Sequence, residues 1–408
     1  MKRLSAHLLA ATLALTAAAQ EQPAAAAPSD SVRADGRAVG TYAIVHEMLK
    51  QTKPKYAYRP NMSRRQLRAW QRGVGRAMAS LMRFPAPDRS QPAPVCVARQ
   101  PREGYTLERW ELYPQESIAV PFLVLRPDGL TGPVPAVLCI PGSGRTKEGL
   151  AGEPGVAPEF TENYTDPRVC MALDMVREGY VAVAVDNPAA GETADRAEGV
   201  RGYDYDLVSR FLLEMGWSWL GYASWIDRQV LDWMKQQPDI RRDRIVVSGF
   251  SLGTEPMMVL GAMDSEIYAF VYNDFLCQTQ ERALVLNRPE GGRRPFPNSI
   301  RHLIPDYWRY FNFPDVAAAL APRHIIFTEG GMDRDFRLVR SAYADFGAEE
   351  RAVFHHYPRF ADPAQRVDLE ALPEGLDRAT FFRLANVDPP SHYFKHELVL
   401  PWLRRILR

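Results

Sequence analysis

The chain has 408 residues, 50 Lys and Arg against 49 Asp and Glu, a formal charge of +1 and 46% hydrophobic content. That balance, with no basic block or stripe, argues against a nucleic-acid partner. The composition argues against large-scale disorder and suffices for one large core with an appendage, or two domains.

Met1-Lys2-Arg3 is a charged start, and AHLLAATLALTAAA behind it is an apolar run too short to span a bilayer. Ala17-Ala18-Ala19 offers an A-x-A site, so residues 1–19 read as a signal peptide and 20–37 as a flexible Ala/Pro/Gln-rich leader. The alternative is a disordered low-complexity N-terminus. The signal-peptide reading predicts a periplasmic or secreted protein. No cysteine near the cut could carry a lipid anchor, and no later segment is apolar enough for a membrane helix.

Residues 38–90 are expected to form a helical N-terminal extension packed on the main domain, 91–408. They carry helical periodicity and many Arg, and end at the Pro-rich RFPAPDRSQPAP. TLERWELYP and SIAVPFLVLRP then read as an antiparallel hairpin. From there strands alternate with helices: PAVLCIPG, helix CMALDMVREG, YVAVAVD, helix YASWIDRQVLDWMKQQ, and RIVVSG. Strands IYAFVYND, HIIFTEG and RAVFHHY follow, then an amphipathic YFKHELVLPWLRRIL. The pattern predicts an α/β fold: a mostly parallel eight-stranded sheet with helices on both faces. Ala223, Ile226, Val230 and Trp233 recur at helical spacing and read as a core-facing stripe.

Cys139 and Cys277 belong to apolar strands as buried thiols, leaving Cys96 and Cys170 as the better candidates for a bridge, if one exists. No metal is expected. His355 and His356 are adjacent, and His392/His396 is H-x-x-x-H without the Glu of a zinc protease.

The strand IVVSGF stops at Gly249-Phe250-Ser251-Leu252-Gly253, a G-x-S-x-G, with a helix expected after it and Pro256 tolerated in its first turn. Small residues two before and two after the serine let strand and helix pass closely. A hairpin feeding a parallel sheet, with this motif between strand and helix, resembles the α/β-hydrolase fold over roughly residues 90–408. The resemblance implies a nucleophile, Ser251, followed along the chain by an acid and then a histidine. For the acid, Asp333 in FTEGGMDRD is favoured over Glu329, Asp335 and Asp274. For the base, His392 in PPSHYFKHEL is favoured over His355 and His356, which fall at a strand end, and over His396, one turn into the last helix. Residues 358–391 become an insertion beside the site, of the kind that shapes substrate clefts. The oxyanion donors are expected to be the N–H of Leu252 and that of Ser143, with Gly144 next. Glu255 is read as structural, capping free N–H groups or pairing with an arginine.

The stretches GFSLGTEPMM, YNDFLCQTQERA, FTEGGMDRDF and VDPPSHYFKHE resemble the secreted bacterial acetyl xylan esterase-like proteins, related to dienelactone hydrolases. Membership implies a serine hydrolase that removes acyl groups from plant polysaccharides without metal or organic cofactor. Dienelactone hydrolases use cysteine where this chain has Ser251. Ester hydrolysis through an acyl-enzyme follows, with an acylated carbohydrate as partner and Trp217, Trp219 and Trp308 available as sugar platforms. Other serine hydrolases, lipase-like, lactonase-like or peptidase-like, are the alternatives within the fold. The rival from another class is a non-catalytic carbohydrate-binding protein on the same scaffold.

Overall fold

A computed structural model describes residues 33–86, 88–155, 166–195, 205–285 and 302–408. The expected signal peptide and most of the leader lie outside the described residues. The chain divides into two units, up to Met48 and from Leu49 onward. The described part of the first is a turn and the start of helix Thr41–Gln51, none of whose residues is buried. All that follows concerns the second.

Nine strands form one sheet: β1 (Val95–Arg102), β2 (Tyr105–Gln115), β3 (Ile118–Pro127), β4 (Val134–Ile140), β5 (Val181–Val185), β6 (Ile240–Phe250), β7 (Ala269–Asn273), β8 (His324–Phe327) and β9 (Ala352–Phe354). Their spatial order is β1-β2-β3-β5-β4-β6-β7-β8-β9. The first three run antiparallel, β3 meets β5 antiparallel, and β5, β4, β6, β7, β8 and β9 are mutually parallel. The extra strand relative to the expected eight is β1, whose alternation of exposed and half-exposed residues gives little apolar signal. It is an antiparallel edge, wet on one side.

Side chains alternate between two cores because successive residues of a strand point to opposite faces. Leu138, Val183, Val247 and Phe270 face one core, built with helices Arg64–Met82, Trp219–Met234, Thr254–Met263, Phe313–Ala319 and Asp333–Asp345. Cys139, Ala184, Val246 and Val271 face the other, with helices Lys147–Ala151, Met171–Arg177 and His396–Ile406. The parallel strands β5 and β7 are buried on both sides, which explains their unbroken apolar runs. Ala223, Ile226, Val230 and Trp233 are core residues.

Helix Arg64–Met82 is part of the larger unit. A reciprocal cap between Ser63 and Gln66 starts it, and Leu67, Trp70, Val74, Met78 and Met82 bury its apolar stripe. A third, smaller core gathers Cys277, Met332, Tyr357, Phe360, Phe381 and Val387, so the stretch after β9 is folded onto the loops that follow β7 and β8. All four cysteines are free thiols, Cys96 and Cys170 included.

Candidate active site

β4 lies between β5 and β6, so the chain leaves β4 for one side and crosses to the other before β6. Such a switch point opens a crevice at the carboxyl ends of the strands. Ser251 stands there, directly after β6. Its φ of +51° puts a non-glycine residue in the left-handed region, a strain that lifts the side chain out of the strand-to-helix path. The flanking glycines make this turn possible. A Cβ on Gly253 would stand 2.3 Å from the Ile140 carbonyl oxygen, and one on Gly249 would stand 2.5 Å from that of Gly253. One 3-10 turn, Ser251–Gly253, leads into helix Thr254–Met263, with Pro256 in its first turn.

The base arrives from the far end of the chain. His392 lines the same cleft as Ser251, and its ring stacks on Phe250, centroids 4.9 Å apart. Its Nδ1 lies 2.5 Å from Glu329 Oε2. Glu329 stands two residues after the end of β8 and is fully buried, and three further donors hold it. Tyr357 Oη reaches Oε2 at 3.0 Å, while the Tyr393 N–H and Lys395 Nζ reach Oε1 at 3.1 and 2.8 Å. Burial alone would raise Glu329, yet the bond and charge of His392 and the charge of Lys395 hold its carboxyl below the ordinary value. Burial would likewise lower His392, but the bond and charge of Glu329, with the charge of Asp274, keep the ring above the usual histidine value.

Asp333 stands elsewhere. It is the first residue of helix Asp333–Asp345, and its carboxylate pairs with His356 Nε2 at 3.0 Å and Arg366 Nε at 2.9 Å, lining a separate cleft. The acid beside His392 is therefore Glu329, not Asp333. A Glu reaches the ring from two residues past the strand, whereas the two glycines that follow turn the chain away before Asp333. Asp335 is buried against Arg334 and Gln278. Asp274, directly after β7, lines the Ser251 cleft, and its charge favours the protonated His392 ring.

The base loop is braced to the sheet. Asn273, last residue of β7, donates from Nδ2 to the Tyr393 carbonyl (3.1 Å) and accepts the Lys395 N–H on Oδ1 (2.8 Å). Leu276 bonds the Gly330 carbonyl, tying together the loops after β7 and β8.

On the other wall, the loop after β4 brings Ser143 into the cleft, where Leu252 also lies. Gly144 does not serve as a donor in this arrangement, because its N–H is given to Tyr205 Oη at 3.0 Å. The loop is fixed from behind. Asn187 Nδ2 donates to the carbonyls of Pro141 and Gly142, and buried Lys147 is held by Asp186 through both its N–H (2.8 Å) and its ammonium (2.7 Å).

The cleft encloses about 400 Å³, with Phe275, Tyr357, Phe381, Phe382 and Arg378 among its walls. Its aromatic residues come from the loops after β7 and β9. Trp219 is core, packed on Tyr205; Trp217 donates to the Met82 carbonyl; Trp308 packs on the core, and none of these three lines the cleft. Glu255 also departs from the capping and arginine-pairing roles expected of it. Its carboxylate lines the cleft and bonds His302 Nδ1 at 2.7 Å. Asp274, Glu329 and His392 offer ligand atoms within 4.8 Å of one another, the grouping among the described residues that could hold a metal. There, the Lys395 ammonium already neutralises Glu329. No described helix is long and apolar enough to cross a membrane.

The model of the Abhydrolase family matches residues 21–405. The crystal structure of a proposed acetyl xylan esterase from Bacteroides fragilis NCTC 9343 is 61% identical, with a TM-score of 0.89 over 92% of this chain and 97% of that one. A methylesterase at 16% identity has a TM-score of 0.52 over 79% of this chain and 65% of the other, a likeness of fold. No curated protein sequence gives a significant match.

Proposed function

The chain belongs to the Abhydrolase family as an acetyl xylan esterase-like serine carboxylesterase, and from that premise we propose that it deacetylates plant oligosaccharides or polysaccharides outside the cytoplasm, using Ser251, His392 and Glu329. The observation that carries the mechanism is the short Glu329 to His392 bond in the cleft that holds Ser251.

His392 takes the proton of Ser251 as the hydroxyl attacks the ester carbonyl. Glu329 orients the ring through Nδ1 and stabilises the imidazolium that forms. The backbone N–H groups of Leu252 and Ser143 take the negative charge of the tetrahedral oxygen. The proton passes from His392 to the departing alcohol, leaving acetyl on Ser251. Water, activated by the same histidine, then releases acetate and restores the serine. The carbohydrate substrate follows the likeness to the Bacteroides fragilis protein, and export follows the reading of the first residues as a signal peptide.

Acetate release from acetylated xylo-oligosaccharides, with p-nitrophenyl acetate in parallel and Ser251→Ala as control, tests the reading. Release abolished by the alanine supports it. Turnover of the model ester alone keeps the mechanism and rejects the saccharide, and silence on both rejects the activity.

A further inference from the structure

Glu255 sits in the first turn of the helix that follows Ser251, and its side chain is more than nine-tenths buried. One carboxylate oxygen is used by His302. The other, Oε2, is buried and has no hydrogen-bond partner among the described residues. A buried polar atom left unpaired costs on the order of 1 to 3 kcal/mol, more when charged, so its retention beside the nucleophile calls for a partner that arrives with the ligand. Both Glu255 and His302 line the cleft that holds Ser251 and His392.

A carboxylate oxygen accepts hydrogen bonds and donates none. Its missing partner must therefore be a donor. An acetyl group has none, and neither does the ester link, which leaves the alcohol half of the substrate. We propose that Glu255, held in place by His302, accepts a hydrogen bond from a free hydroxyl on the alcohol half of the ester, and so selects esters of polyols and saccharides over esters that carry no donor. This rests on the esterase reading above and adds a specificity-determining residue to it. A site that hydrogen-bonds a substrate hydroxyl discriminates strongly against analogues lacking one, because its own polar group is then left buried and unpaired.

One internal alternative exists. Tyr307 carries a buried hydroxyl with no partner among the described residues, and it lies close enough to sense the Glu255 charge.

The test is a ratio of kcat/KM values for paired acetates that differ in free hydroxyls: a mono-O-acetylated methyl xyloside against its fully acetylated counterpart, and glycerol monoacetate against triacetin. The full-length enzyme is expected to favour the hydroxyl-bearing ester about 10-fold or more, and Glu255→Ala to bring the ratio to within about 2-fold of unity. Partial misfolding lowers both rates together and cancels in the ratio. If the alanine fails to fold, His302→Ala provides the second variant and is expected to reduce the preference in the same direction. The proposal is overturned if the native enzyme shows no preference, if Glu255→Ala leaves the ratio intact, or if Tyr307→Phe collapses it as fully as Glu255→Ala. A preference for glycerol monoacetate with neither xyloside hydrolysed would sustain the hydroxyl subsite and reject the saccharide.

Discussion

Glu329 Oε2 stands 2.5 Å from His392 Nδ1, while Asp333, four residues on at the start of a helix, turns its carboxylate to His356 and Arg366. The two acids can be separated by replacement. Glu329→Gln is expected to lower kcat by about 10³ to 10⁴-fold on p-nitrophenyl acetate, since it removes the group that fixes the tautomer and stabilises the imidazolium. Asp333→Asn is expected to stay within about 10-fold. Comparable losses from both would remove the assignment of Glu329.

The raised pKa of His392 sets the acid limb of the pH profile. The ring must be neutral to accept the serine proton, so kcat/KM is expected to rise through an apparent pKa above the ordinary histidine value of about 6.5. Weakening the negative surroundings by Asp274→Asn should move that limb toward lower pH, because Asp274 is one of the charges that favour the protonated ring. A limb that stays in place or moves upward would show that Asp274 does not act on the base. The same shift feeds stability. A histidine whose folded value is raised stabilises the fold below its unfolded value, and that contribution fades as pH rises through the folded one.

Gly253→Ala probes the tight crossing of β4 and the nucleophile turn. The new Cβ would meet the Ile140 carbonyl oxygen at 2.3 Å, a backbone atom, with no flexible side chain to give way. We expect a loss of about 1 to 3 kcal/mol in urea denaturation together with a large fall in kcat, since relief requires the Ser251 turn to shift. Unchanged stability and rate would mean that the turn is more compliant than its geometry implies.

Lys147 is a single buried cation among Asp186, Glu148 and Glu192, at 2.7, 3.1 and 2.7 Å. Lys147→Met takes the buried counter-charge from Asp186 and leaves Glu148 with Arg109 alone, at a cost on the order of 3 to 5 kcal/mol. Thermal unfolding should show it, and a mutant as stable as the native protein would disprove the role.

The sheet was legible because parallel strands buried on both faces leave continuous apolar runs, such as Val181–Val185. The G-x-S-x-G was legible because tight passing of strand and helix demands small residues at fixed positions. β1 escaped notice, as half-exposed edge strands carry weak patterns. The acid was harder for a different reason. Glu329, Asp333 and Asp335 lie within seven residues, and which one faces the histidine depends on how Gly330 and Gly331 turn, both at positive φ. Sequence spacing does not encode that direction. The Glu255 and His302 pairing was hidden too, because its partners stand 47 residues apart and share no local pattern.

Asn273 and Lys395 hold the base loop to β7 and to Glu329, so the position of His392 is set by bonds to the sheet rather than by the length of chain leading to it. The stretch between β9 and that loop supplies Arg378, Phe381 and Phe382 to the cleft and packs in a small core with Cys277 and Met332. We expect it to be exchangeable, as a cassette. Rewriting its cleft-facing residues is expected to admit a different alcohol while the machinery that cleaves the ester keeps its register.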